Sequence, residues 1–482
     1  MTTPSIKKNY IFNIINQLVN VLSPLITAPY ISRVLGVEKV GINSYTSANL
    51  TYFTLVGMLG ISGYGQQRIA MCRDNRRETS QSFWELQTLH VLIMIPVFIA
   101  YIFLIIYSPK YSMYYAVNII SLIACLFDIN WLYYGFEKYQ FISIRNYIIK
   151  IISVCLILLL INSQSDIFLY IGLTDATALA ANLILWIHLK DIVDFRGLKR
   201  INIKRHIKDT LIFFIPTIAA SVYSVLDKSV INWITHSESE NGYYEQAWKI
   251  LMIFDSAIQA LSVVTAPRMA NLYAKGNIGE VRKRINHSFE FLLFIAFPCA
   301  FGMASIANRF VPVFFGSGYE GVIPILYVFM PLIVIQGMSV YIDGLYLVPT
   351  GKRFQSALIV CFGSGINFFL NIFMVLKFSA LGAAIATLLT ETFITSAMMA
   401  LGKTIIDWNK FWHLFFKYLS FSFFMAVVIV ILNHFVIPYN LFGLIIDILI
   451  GVGIYILLCT LFKDRMFYEL LNFIKIKLRI TW

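Results

Sequence analysis

Charge is scarce in this chain. Asp, Glu, Lys and Arg make up only 13% of its 482 residues, and they fall in short stretches between apolar runs, so no segment has the composition of a sizeable soluble domain. Paired cysteine is missing too. Cys72, Cys125, Cys155, Cys299, Cys361 and Cys459 are far apart with no CxxC spacing, which leaves no metal site and no redox dithiol to read from them. They are read as small apolar side chains. No small-residue cleavage site follows Lys7-Lys8, so the first apolar run is expected to be a retained helix and not a signal peptide. Long polar connections are absent from one whole side of the chain. That excludes an extracytoplasmic catalytic domain, and no catalytic residue is assigned.

What the chain has in abundance is apolar surface. Hydrophobic residues make up 59%, with 40 Phe and 27 Tyr, more than a water-soluble fold can bury. Crossing the hydrocarbon takes about 20 apolar residues per helix, and such runs recur throughout. The pattern predicts an all-α polytopic membrane protein of about fourteen transmembrane helices. They are expected near 10–32, 40–63, 84–107, 113–136, 142–161, 167–190, 208–234, 245–267, 286–307, 322–343, 354–376, 380–400, 411–435 and 440–462.

The basic residues orient these spans. With net charge +13, nucleic acid is one reading of the excess, but the Lys and Arg sit in loops, where they set topology. One side collects 29 of them, including Arg73, Arg76, Arg77, Lys352 and Arg353; the other has five, Arg33, Lys39, Lys110, Arg309 and Lys377. Both termini are therefore expected in the cytoplasm, at the inner (plasma) membrane. The longest and most basic connection, 191–208, reads as a linker between an N-lobe (1–190, spans one to six) and a C-lobe (209–402, spans seven to twelve). Spans thirteen and fourteen and a basic tail (403–482) are appended.

Polar residues at membrane depth are costly unless they face protein or a water-filled cavity. Span one carries Asn13, Asn16, Gln17, Asn20, Ser23 and Thr27 on one helical face, and span seven carries Ser221, Ser224, Lys228, Asn232 and Thr235 on one face. Span two adds Asn43, Ser47, Thr51 and Thr54. Each such residue can simply hydrogen-bond helices together, whereas matched stripes in two halves are expected when the halves share a cavity.

Lys228 and Lys150 lie about two turns inside their spans, and Lys249 about one turn, with Glu245 four residues before it. Arg33, Arg68 and Arg145 mark span ends. These cations either snorkel to the interface or line a cavity that attracts an anion. Asp128, Asp227, Glu391 and Asp447 are acids inside spans. Asp227 and Lys228 point about 100° apart on a helix, so Asp227 is expected to find its partner on another helix. Glu391, between Thr387 and Thr395, is either an ion-coupling site or half of a buried pair.

Several stretches resemble Wzx-type polysaccharide flippases of the MOP superfamily: PYISRVLG (29–36), YFTLVGMLGISGYG ending at Gly65, DINWLYYGFEKY from Asp128, VLDKSVI from Val225, GYYEQAWKI from Gly242, APRMANLYAKG from Ala266 and VPTGKR from Val348. The resemblance runs in order from about residue 10 to 400. It implies a flippase for an undecaprenyl-diphosphate-linked oligosaccharide, for capsule, exopolysaccharide or O-antigen assembly, working by alternating access of two lobes. Arg33, Asp128, Asp227, Lys228, Glu245 and Lys249 are carried over by motif match. It further implies no cofactor beyond a proton or sodium gradient, and a polysaccharide polymerase and chain-length machinery as partners. Within the superfamily a multidrug exporter or a lipid II flippase is the alternative; intramembrane cations favour an anionic cargo. A polytopic polymerase would need an outward catalytic loop that the chain lacks.

Overall fold

The computed structural model describes residues 6–194, 201–435 and 440–478; within these, the side chains of residues 6–22, 215–224, 260, 261, 263, 264, 267, 434, 435, 473, 474 and 476–478 lie outside the description. Among the described residues every regular element is helical. In chain order they are α1 (Ile6–Met58), α2 (Ile61–Cys72), α3 (Arg76–Tyr107), α4 (Ser112–Leu126), α5 (Asn130–Gly135), α6 (Tyr139–Leu160), α7 (Ile167–Ile187) and α8 (Lys204–Thr235), followed by α9 (Glu238–Ala274), α10 (Ile278–Phe315), α11 (Val322–Ile342), α12 (Arg353–Leu401), α13 (Trp408–Phe435), α14 (Leu441–Leu461) and α15 (Arg465–Leu478). Nine helical stretches of the described residues are long and apolar enough to cross a membrane. The protein is an all-α, multi-pass membrane protein.

Local chemistry explains where helices break. Spans one and two lie on α1, divided at Gly36, whose φ of 75° and ψ of 169° only glycine adopts without strain. Spans eleven and twelve lie on α12, divided at Ser379 with φ 52°. Span four, expected to run unbroken over 113–136, is interrupted: α4 stops at Leu126 and α5 starts at Asn130. Asp128 sits in this break and not in a helix, where its carboxylate accepts from the Asn130 backbone N–H (2.8 Å) and Nδ2 (2.7 Å), satisfying donors that the missing turn would have used.

Packing is that of a chain solvated by lipid. Helix α3 buries Leu86, Met94 and Tyr101 and exposes Ile95, Ile99, Ile102 and Ile106 at helical spacing. A helix apolar all round belongs between protein and hydrocarbon. At the C-terminal end, the expected basic tail forms α15, whose start is fixed by Asp464: its carboxylate accepts from the Phe467 N–H (2.9 Å), Lys417 Nζ (2.6 Å) and Tyr418 Oη (3.0 Å).

Two compact units divide within α9, Met1–Glu245 and Gln246–Trp482, whereas the sequence sets its lobe boundary at the 191–208 linker, of which residues 195–200 lie outside the description. In the first unit Ile31, Leu35, Ile157 and Ile171 form one apolar cluster and Phe83, Trp131, Leu132 and Leu185 another. In the second, Arg309 on α10 and Asp447 on α14 meet at 2.5 Å with side chains 2% and 0% exposed. Asn433 on α13 accepts from the same guanidinium at 2.8 Å. Arg309 is therefore inside a helix bundle, not in the loop where its sequence neighbourhood puts it. Beside this pin, α10, α13 and α14 enclose an apolar groove of about 470 Å³ walled by Phe294, Pro298, Ile306, Met425 and Tyr455.

Candidate functional site

Part of the first unit's intramembrane charge lies where the second part of α1 meets the end of α8 and the start of α9. Close approach is possible because of two glycines. A Cβ on Gly41 would lie 1.7 Å from the Glu238 carbonyl oxygen, and one on Gly242 would lie 2.3 Å from the Val37 carbonyl oxygen, so α1 and α9 touch backbone to backbone.

Around that contact the polar side chains are paired. Lys228 Nζ is 2.7 Å from Glu245 Oε2, with side chains 16% and 15% exposed, and the Ser44 hydroxyl donates to the same oxygen at 2.9 Å. Lys228 and Glu245 come from α8 and α9, and Ser44 from α1. The neighbouring acid takes a different partner: Tyr244 donates its hydroxyl to buried Asp227. Tyr52 on α1 and Ser229 on α8 share a hydrogen bond of 3.0 Å. Nearer the chain reversal, Glu238 receives Tyr111 Oη at 2.8 Å and pairs with Lys110, while buried Asn232 lies 3.3 Å from the same hydroxyl. The result is a seam of backbone contact and charge pairs, in which the Lys228 ammonium is balanced by the Glu245 carboxylate. Removing either partner would leave a poorly solvated charge, at a cost of up to about 3–5 kcal/mol.

A second seam holds the opposite end of α8. Glu85, 1% exposed, accepts from Gln81 (2.7 Å) and the Asn202 N–H (3.1 Å), pairs with Arg205 (2.5 Å) and lies 2.9 Å from His206 Nε2. His206 Nδ1 is 2.8 Å from Tyr64 Oη. Here too a glycine permits contact, since a Cβ on Gly60 would be 2.4 Å from the Thr210 carbonyl oxygen. Sequence reading passed over Glu85 because it stands at the end of an apolar run; Gln81 four residues earlier was the available signal.

The remaining expected site residues are dispersed. Arg68 pairs with Glu78 at 2.7 Å and donates to Ser82. Arg145 is buried and donates to the Ala181 carbonyl (3.0 Å) and to the Asn130 (2.9 Å) and Asn146 (2.7 Å) side chains, which ties α6 to α5 and α7 beside Asp128. Lys150 is half-buried on α6 and Arg33 is exposed on α1. Asn43 accepts from Ser47 at 3.5 Å; the side chains of Asn20, Ser221 and Ser224 lie outside the described residues. In the second unit, Lys249 is half-buried on α9 and Glu391 is 8% exposed on α12. The structure thus brings together Lys228, Glu245, Asp227 and Asn232 from the expected set. It adds Ser44, Tyr52, Tyr111, Ser229, Glu238 and Tyr244. Asp175 on α7 is a further buried acid that the sequence reading did not single out.

Helices long and apolar enough to cross a membrane, with charged side chains paired between them, define the class as a polytopic all-α membrane protein. By sequence, the chain belongs to the family described as "Polysaccharide biosynthesis protein", matched over residues 6–273. A "Putative O-antigen transporter" of Escherichia coli (strain K12) is 25% identical over 406 residues, covering 82% of this chain and 96% of that protein. Among solved structures, "Lipid II flippase MurJ, inward closed conformation" shares the fold with a TM-score of 0.73 at 16% identity, covering 95% of this chain and 99% of that one. An inward-facing multidrug resistance MATE family transporter of the MOP superfamily does so at 0.59 and 14% identity, covering 81% and 94%.

Proposed function

We propose that the protein is a Wzx-type flippase that carries an undecaprenyl-diphosphate-linked oligosaccharide from the cytoplasmic to the outer leaflet of the inner membrane by alternating access. The observation that carries this reading is the Lys228–Glu245 pair at the α1–α8–α9 seam, in a chain of the polysaccharide biosynthesis family. An ammonium at membrane depth, here paired with a carboxylate, can make the same charge-assisted contact to a phosphate oxygen of an anionic cargo. The name of the Escherichia coli relative points to the same kind of cargo.

In this reading both termini are cytoplasmic, the Lys228 seam closes the outer end of the path and the Glu85 seam the inner end. The lobes 1–190 and 209–402 open one seam at a time. Lys228 is the cation for the diphosphate in this reading, and Lys249, by its place in the sequence, is proposed as a second. Glu391 couples the cycle to a proton or sodium gradient, and the product passes to polymerase and chain-length partners that assemble capsule, exopolysaccharide or O-antigen.

Deletion of the gene followed by analysis of lipid-linked repeat units on each leaflet tests the proposal. Accumulation on the cytoplasmic leaflet is expected. An intact outer pool would refute flipping, and loss of synthesis would indicate an enzyme.

A further inference from the structure

The pairing of Lys228 raises a problem for a phosphate-binding role, because its ammonium already has an anion. Glu245 Oε2 lies 2.7 Å away, and the same oxygen accepts from Ser44 on α1 at 2.9 Å. A carrier must return empty, and an unpaired ammonium at about one-sixth exposure would oppose the return step. A resident carboxylate removes that penalty. It also creates a competitor, since a phosphate oxygen and the Glu245 carboxylate make the same charge-assisted contact to the same three N–H donors.

We infer that Glu245 is the resident counter-ion of Lys228, displaced by the diphosphate of the cargo, and that its displacement releases the outer seam. The inference rests on the flippase reading above. The link to the seam is geometric: Glu245 bridges Lys228 on α8 to Ser44 on α1, and Ser44 lies one turn from Gly41, whose backbone contact with Glu238 closes α1 against α9. When phosphate takes Lys228, Glu245 loses that charge-assisted contact, which weakens its bridge between α8 and α1 and favours separation of α1 from α9. Binding energy from the head group is thereby spent on opening the outward side, and the empty site recloses as Glu245 regains Lys228. Asp227 is held within the α8–α9 pair by Tyr244, whereas the Ser44 hydrogen bond links Glu245 directly to α1.

Undecaprenyl diphosphate without sugar, added to the purified full-length protein in micelles, provides the probe, with native mass spectrometry for affinity and hydrogen–deuterium exchange for the seam. Glu245→Gln is expected to bind about tenfold more tightly than the unaltered protein, and Glu245→Asp to bind like it. Lys228→Gln and the Lys228→Gln/Glu245→Gln pair are expected to lose binding, so that the gain is shown to act through Lys228. Probe should speed exchange in peptides covering 37–48 and 236–245, and Glu245→Gln should show part of that increase without probe. If Glu245→Gln accumulates poorly, Glu245→Met keeps the length and should tighten binding equally.

Unchanged or weaker binding by the Glu245 variants, with Lys228→Gln still defective, would overturn the counter-ion role and leave the flippase reading standing. Lys228→Gln binding as well as the unaltered protein would overturn both the switch and the diphosphate site. Seam peptides that exchange no faster with probe, despite tighter binding by Glu245→Gln, would overturn the release of the seam.

Discussion

Gly41 and Glu238 meet so closely that any side chain on Gly41 would overlap the Glu238 carbonyl. In the proposed cycle the two helices part for cargo to leave on the outer side. Gly41→Ala is therefore expected to prevent closure and abolish complementation of a deletion strain while the protein still reaches the membrane. Gly279→Ala, where nothing lies within 4 Å of the new Cβ, is the matched control and should complement fully.

Arg309 and Asp447 form the most buried ion pair among the described residues. Asp447→Ala leaves the guanidinium uncompensated and should destabilise the protein by about 3–5 kcal/mol, seen as a lowered unfolding midpoint in detergent. Replacing both partners by apolar residues, Arg309→Met with Asp447→Leu, should recover most of the loss, because Arg309→Met removes the stranded charge.

Glu85 anchors Arg205 and His206 at the start of α8. Glu85→Gln should loosen the inner seam and raise labelling of a cysteine placed at Phe213, beside Gly63, by a membrane-impermeant thiol reagent applied to inside-out vesicles. A several-fold rise is expected at unchanged protein level; equal labelling would show that this cluster does not hold the seam.

Glu391 tests coupling. Its side chain is 8% exposed at membrane depth, between Thr387 and Thr395. Glu391→Gln should flatten the dependence of flipping on an imposed proton gradient in proteoliposomes. The same response as the unaltered protein would assign coupling elsewhere.

Much of this architecture was legible in residue patterns. The all-helical character of the apolar segments was legible, nine helical stretches of the described residues being long and apolar enough to cross a membrane, and the 100° offset between Asp227 and Lys228 foretold that they take separate partners, Tyr244 and Glu245. Other features were hidden for physical reasons. The break at Asp128 was marked only by Asp128 and Asn130 inside an otherwise apolar run, a pattern that a buried polar pair within an unbroken helix would also give. Arg309 reads as a loop cation because its partner Asp447 is 138 residues away, and long-range pairing depends on which helices pack together. The seam residues Ser44 and Tyr52 belong to the most polar of the expected spans, where dilution of hydropathy was visible but the faces they meet were not. Arg68 and Arg145, which resemble cavity cations by position, find partners within their own neighbourhood.

Lys228 is the residue on which the account turns. The direct measurement is flipping of lipid-linked repeat units in cells carrying Lys228→Ala, Lys228→Arg or the unaltered gene at equal membrane abundance. Loss of a charge-assisted contact worth about 1.5–3 kcal/mol predicts a roughly 10- to 100-fold drop for Lys228→Ala, with cytoplasmic-leaflet build-up, and partial activity for Lys228→Arg. Full complementation by Lys228→Ala, with the repeat units found on the outer leaflet as usual, would contradict it.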